Sequence, residues 1–201
     1  MNDRLRYVLV LTLITALSGL VLGTTERCTR QPITEQYRRQ QQQALQAVLP
    51  EVDNAPDRDA VTPAMQASAG APSPPTTYYR GRRRGQIVGI AFQVVAANGY
   101  GGPIRMMVGV APGGELLGLE ILQQNETPGL GNRVEEEPFR AQFMGKGLSA
   151  SRWKVTKDGG DFDQISGATI SSRAVVEALS AGLEGYLRHK AIILADPGGQ
   201  P

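Results

Sequence analysis

Residues 163–172 read D-Q-I-S-G-A-T-I-S-S, a run that sets five hydroxyl or carboxylate side chains around one Gly-Ala pair. Beyond it, Val175, Leu179, Leu183 and Leu187 recur at steps of four, with Val176 beside them. Arg173, Glu177, Glu184 and Arg188 lie off that stripe, so the pattern predicts an amphipathic helix over about residues 172–190. A glycine-containing loop that feeds a helix N-terminus is a seat for phosphate. The free N–H groups and the positive end of the dipole face the same way. A threonine hydroxyl placed there, Thr169, can hold a phosphoryl group covalently as well as by hydrogen bonds. Ser166, Gly167 and Ala168 precede it, and Ser171 and Ser172 follow as rival hydroxyls that either cap the helix or bond phosphoryl oxygens. Ser and Thr are also preferred N-caps, and local physics alone favours that plainer helix start.

Two glycine-rich loops are candidates to face this run. N-G-Y-G-G at 98–102, with Tyr100 at its centre, ends the first strong strand pattern. E-T-P-G-L-G at 126–131, with Thr127, Gly129 and Leu130, ends the third. Glycine permits close backbone approach and positive φ, and Pro128 stiffens the second loop. Each also suits a plain turn. Gly129 and Gly131 are expected to tolerate side chains poorly. Trp153 reads as a core anchor in preference to a neighbour of a bound group.

The elements that must position these residues form an α+β domain, an antiparallel sheet packed with helices. Residues 87–96, 104–110 and 115–123 read as successive strands, with a turn at A-P-G-G, 111–114. Residues 138–144 suggest a short helix, 153–156 a strand, and K-D-G-G at 157–160 a turn. Strands first and helix last predict a layer with the long helix covering one sheet face.

Ahead of the domain, residues 7–23 are apolar except for Thr12, Thr15, Ser18 and Gly19. Extending the run to Leu5 and Thr25 lets it cross a bilayer as an uncleaved anchor. Arg4 and Arg6 precede it, which places the N-terminus in the cytoplasm and the body outside. Residues 33–49 predict a polar helix with a thin stripe at Tyr37, Leu45, Val48 and Leu49. Residues 50–75, rich in Pro, Ala, Ser and Asp, read as a linker. The expected organisation is therefore 1–26 stub and anchor, 27–76 juxtamembrane helix and linker, and 77–201 folded domain.

Composition narrows the chemistry. A net charge of +2 over 201 residues gives no argument for nucleic acid, and Arg80, Arg82, Arg83 and Arg84 read as a solvated hairpin turn. Cys28 is the single cysteine and His189 the single histidine, so Ser–His triads, Cys–His dyads and Cys-based metal sites are poorly supported. No catalytic side chain is assigned. Redox chemistry here would have to be carried by a bound cofactor.

S-G-A-T at 166–169 resembles the attachment motif of covalently flavinylated proteins. N-G-Y-G-G-P-I at 98–104, N-E-T-P-G-L-G at 125–131 and W-K-V-T-K-D-G-G-D-F-D at 153–163 follow in matching order. Together they resemble the G component of the Rnf (Rsx) electron transport complex, over about residues 87–187. The resemblance implies FMN joined through its phosphate to Thr169 by a flavin transferase, with Asp163 and Ser166 in the stretch that enzyme reads. It implies an electron carrier among other subunits of a bacterial inner-membrane complex, single-pass, with its C-terminal domain periplasmic. That complex links NADH and ferredoxin-type carriers to ion movement. The flavin subunit of the sodium-pumping NADH:quinone reductase, which shares the motif, is the nearest alternative. A non-redox membrane-anchored module with an ordinary capped helix is the other.

Overall fold

The computed structural model describes residues 3–63 and 76–195. Two compact units divide the chain after Gln41. Helix α1, Asp3–Val48, supplies the described residues of the first unit and opens the second. Among the described residues, Arg6–Arg27 is the stretch long and apolar enough to cross a membrane; its 22 residues rise about 33 Å at 1.5 Å each. Thr12, Thr15 and Thr25 each donate their hydroxyl to the carbonyl four residues back, at 2.8 to 3.0 Å. Those hydroxyls need no water, which suits them to a hydrocarbon setting.

The second unit is built on a five-stranded antiparallel meander in chain order: β1 Ala60–Val61, β2 Tyr78–Arg83, β3 Gln86–Ala96, β4 Ile104–Val110 and β5 Leu116–Gln123. Arg84 and Gly85 alone join β2 to β3, both at positive φ (52° and 79°), as the right-handed twist of a two-residue hairpin requires. Strand β3 buries consecutive residues 89–92 instead of alternating, because both sheet faces are covered. Ile90, Phe92 and Val94 join Ile104, Met106 and Val108 against α3, Thr169–Leu194, through Val175, Leu179, Leu183 and Tyr186. On the opposite face Ala91 and Met107 meet Ala44, Leu45, Val48 and Leu49 at the end of α1. Gly109 and Gly118, paired across β4 and β5, leave room for Val48, since a Cβ on either would strike its backbone.

Five expectations are corrected here. The stretch before residue 77 is more than a linker. Leu49 is buried, Pro56–Arg58 forms a 3₁₀ turn, and β1 pairs with β2, so the compact unit begins at Gln42. Residues 64–75 lie outside the described residues. The arginine cluster is a solvated hairpin turn only at its end, where Arg84 lies in the turn and Arg83 is exposed beside it. Arg80, Arg82 and Arg83 lie within β2, and Arg80 is 4% exposed. Its Nε donates to Asp59 Oδ1 at 2.7 Å and its Nη1 to Ala195 O at 2.9 Å, while Arg82 Nε reaches Asp59 Oδ2 at 2.6 Å. Residues 153–156 form no strand, only an isolated bridge between Val155 and Phe162. The helix expected at 138–144 is the shorter α2, Glu137–Ala141. Tyr37, expected on the apolar stripe of its helix, is exposed.

Tyr186 is buried and donates to Pro112 O at 3.1 Å. Burial, with a smaller contribution from the Glu115 charge, pushes its phenol from 10.0 up to about 12. The folded state thus favours the neutral phenol. The stability it contributes is whole below pH 10 and is lost as pH rises towards 12. Tyr186→Phe is expected to flatten the alkaline fall in stability across that window, read from denaturant midpoints against pH.

Candidate functional site

Helix α3 starts at Thr169, three residues earlier than its apolar stripe predicts. Its N-cap is Ala168, and no side chain caps the first turn. The capped start expected from the Ser and Thr content is therefore absent. Ser171 and Ser172, expected as caps or phosphoryl ligands, lie inside the helix and are buried at 1% and 0% exposure. Ser172 Oγ donates to Ala168 O and accepts from Ile165 N–H, both at 3.0 Å, which pins the preceding loop to the helix. Ser171 Oγ donates to Glu126 Oε2 at 2.7 Å. Thr169 is half-buried, and Ser166, Gly167 and Ile170 are exposed around it. The unpartnered N–H groups of the first turn and the positive dipole end lie beside the threonine hydroxyl, a setting that favours an anion.

The loop before the helix is held from several sides. Gln142 clasps Asp163: its Oε1 accepts from Asp163 N–H at 2.7 Å and its Nε2 donates to Asp163 O at 3.2 Å. Gln164 Oε1 accepts from the Thr156 hydroxyl at 2.9 Å and from Lys157 N–H at 3.1 Å. Arg173 donates twice to Asp158, at 2.6 and 3.0 Å, and these bonds hold the Asp158 carboxyl below its ordinary range. Gly167, at φ 80°, makes the turn into Ala168. Beneath the loop, Phe143 stacks on Phe162 at 4.9 Å. Trp153 packs on Phe162 at 4.7 Å and donates Nε1–H to Gly147 O at 3.3 Å. Trp153 is therefore a packing residue, as expected.

Glu126 joins both glycine-rich loops to the helix. It is 5% exposed, and its Oε1 accepts from Gly101 N–H at 3.1 Å while Oε2 accepts from Ser171. Gly101 runs flush against the 125–131 loop, since a Cβ there would strike Asn125 O. That loop turns tightly. Leu130 N–H donates to Thr127 O at 3.1 Å, and Gly129 N–H donates to Asn132 Oδ1 at 2.7 Å. Leu130, 44% exposed, lies over Gly167, its Cδ2 3.1 Å from where a Cβ on that glycine would stand. Gly129, Leu130 and Thr127 are exposed on the same loop, and Tyr100 is exposed on the loop that Glu126 fastens. The structure thus sets Leu130 against Gly167, two residues before the half-buried Thr169, leaves Gly129 exposed beside Leu130, and buries Ser171 and Ser172. Glu126, Gln142 and Gln164 are structural members of the site that periodicity does not mark. For Glu126, which opens the E-T-P-G-L-G run, a carboxylate beside glycines is the only signal in the sequence.

The open face has a half-buried threonine at an uncapped helix start, a glycine turn and an apolar side chain beside that turn. It can take an anionic group with a flat apolar body. The FMN-binding domain family matches residues 99–184, which span both loops and most of α3. The chain is 38% identical to the G component of the ion-translocating oxidoreductase complex of Cereibacter sphaeroides, over 93% of this chain and 86% of that one. It is 35% identical to the component of that name from Pseudomonas aeruginosa, over 96% and 94%. Among solved structures, Shewanella oneidensis NqrC shares the fold, with a TM-score of 0.53 at 20% identity over 76% of this chain and 74% of that one. On relatives that match it nearly end to end, the chain belongs to the family of the G component of the ion-translocating oxidoreductase complex.

Proposed function

We propose that this chain is the flavin-bearing electron carrier of a membrane complex that couples redox chemistry between NADH and ferredoxin-type carriers to ion movement, with FMN attached through its phosphate to Thr169. The uncapped start of α3 carries this reading. A 26-residue helix begins at a half-buried threonine with no side chain satisfying its first turn. A phosphodiester there carries one negative charge, which the helix end stabilises by about 0.3–1 kcal/mol. The N–H groups of the first turn would bond its oxygens. Leu130 would offer an apolar contact to the ring and Thr127 a hydroxyl to its edge, while Tyr100 is exposed on the neighbouring loop and the space beside Gly129 is open. When bound, FMN supplies the electron transfer for which no side chain here is suited.

Attachment forms a bond from Thr169 Oγ to phosphorus as a phosphoanhydride bond in the donor flavin nucleotide breaks. The other half of that anhydride would depart as a nucleoside monophosphate, with the threonine proton passing to it. A flavin transferase performs this step, reading the exposed stretch around Asp163 and Ser166. The anchor holds the domain on the periplasmic side of the inner membrane, in keeping with Arg4 and Arg6 ahead of the span. Co-expression of the full chain with a transferase should give a fluorescent band on a denaturing gel and the mass increment of one FMN. An unmodified mass from a preparation in which a control substrate is flavinylated would refute the reading.

The two loop glycines separate ring contact from fold. Gly129 sits at φ 75° with nothing within 4 Å of a built Cβ. Gly129→Ala should cost about 1 kcal/mol of strain yet shift the flavin spectrum. A Cβ on Gly131 would strike Glu126 Oε2 and stand 3.0 Å from Ser171 Oγ. Gly131→Ala should cost about 2 kcal/mol or more and lower flavin loading as well. Thermal melts and absorbance spectra of both variants check the contrast.

A further inference from the structure

We propose that Glu126 is the positioning residue for flavin attachment, acting through Ser171 to orient the first turn of α3 so that, of its three hydroxyls, Thr169 alone faces outward. The proposal rests on Thr169 as the flavin acceptor. A buried carboxylate costs several kcal/mol in lost hydration unless charge-assisted bonds offset it. Here the bonds come from two separate parts of the site. Gly101 N–H belongs to the first glycine-rich loop and the Ser171 hydroxyl to α3. The chain makes room for the carboxylate on both sides, since a Cβ on Gly99 would stand 2.7 Å from Oε1 and one on Gly131 would strike Oε2. The Glu126 backbone is held too, its N–H donating to Gln124 Oε1 at 2.5 Å.

Helical geometry turns this bond into an orientation. Ser171 lies two residues after Thr169, about 200° around the helix at 3.6 residues per turn. Fastening Ser171 inward therefore turns Thr169 outward. The Ser171 proton is engaged by the carboxylate and its oxygen is buried, so that hydroxyl is withheld from a phosphoryl donor. Ser172 is withheld by Ala168 O and Ile165 N–H. Glu126 also ties the acceptor turn to the loop carrying Tyr100, fixing the two sides of the flavin seat in one register.

The test uses the full-length chain purified without flavin, then incubated with the transferase and its donor, with the initial rate of covalent labelling normalised to folded protein. Glu126→Ala is expected to slow labelling about tenfold or more, because misplacement of an acceptor is costly to a transfer reaction. Glu126→Gln should stay within about threefold of the parent. Its Oε1 can take the Gly101 N–H while Nε2 donates to Ser171 Oγ. Ser171→Ala should slow labelling by about threefold or more. Slow labelling by Glu126→Ala with recovery in Glu126→Gln supports positioning. Labelling of Glu126→Ala at the parent rate per folded molecule overturns it. Should Glu126→Ala fail to accumulate folded, Ser171→Ala decides: a parent rate overturns the proposal and a slowed rate supports it. Thr169→Val runs in parallel, and flavin retained there overturns the acceptor assignment itself, an outcome separable from the behaviour of Glu126.

Discussion

Thr169→Val is expected to give a folded chain with no covalent flavin. Valine keeps the β-branched shape of threonine at the first position of α3 and removes only the hydroxyl. Thr169 is half-buried and caps nothing, so stability should change by about 0.5 kcal/mol or less. Flavin on a denaturing gel should fall to background, because no neighbouring hydroxyl of the turn can replace it. Ser171 is 1% exposed and donates to Glu126; Ser172 is fully buried and bonded on both sides. Thr169→Ser should restore a fluorescent band. A band in Thr169→Val as bright as the parent's would remove Thr169 as the acceptor. The exposed Ser166 would then be examined first by peptide mapping.

What can be read from the sequence is set by which interactions are local. The four-residue apolar steps of α3 and the strand runs at 87–96, 104–110 and 115–123 are short-range patterns, and they correspond to elements within a few residues of their expected limits. The start of α3 is not legible in that way. Cap preference points to hydroxyl residues, yet Ser171 and Ser172 serve contacts 45 and 7 residues away in sequence, and the cap falls to Ala168. The arginine run departs from expectation for a related reason. Charge predicts exposure unless a partner is brought from elsewhere, and Asp59 is such a partner, 21 residues before Arg80. Residues 50–63 have few large apolar groups, but they need few. Leu49, Val52 and the Asn54 and Asp59 hydrogen bonds fasten them to β2. The S-G-A-T motif itself is legible because its residues are adjacent, whereas its support by Glu126, Gln142 and Gln164 arises only once the chain folds.

Two truncations turn that difference into a large effect. A chain starting at residue 27, exported with a cleavable signal, is expected to be soluble, folded and flavinylated. It loses the apolar span but keeps the compact unit from Gln42 onward. A chain starting at residue 77, where the strand pattern begins in sequence, is expected to aggregate. It lacks Ala44, Leu45, Val48 and Leu49, leaving Ala91 and Met107 and the Gly109–Gly118 pair bare on one sheet face. Burial of each large aliphatic side chain is worth about 1.5–3 kcal/mol. The same cut removes Asp59 and leaves Arg80 buried without its carboxylate, and breaking a buried pair one-sidedly costs about 3–5 kcal/mol. Together these losses rival the whole stability of an ordinary domain, about 5–15 kcal/mol. Circular dichroism and flavin loading of the two exported chains, made beside the full-length protein, read the outcome. A 77–201 chain that melts as cooperatively as 27–201 would mean that the end of α1 and Asp59 are dispensable, and that the domain stands on α3 and four strands alone.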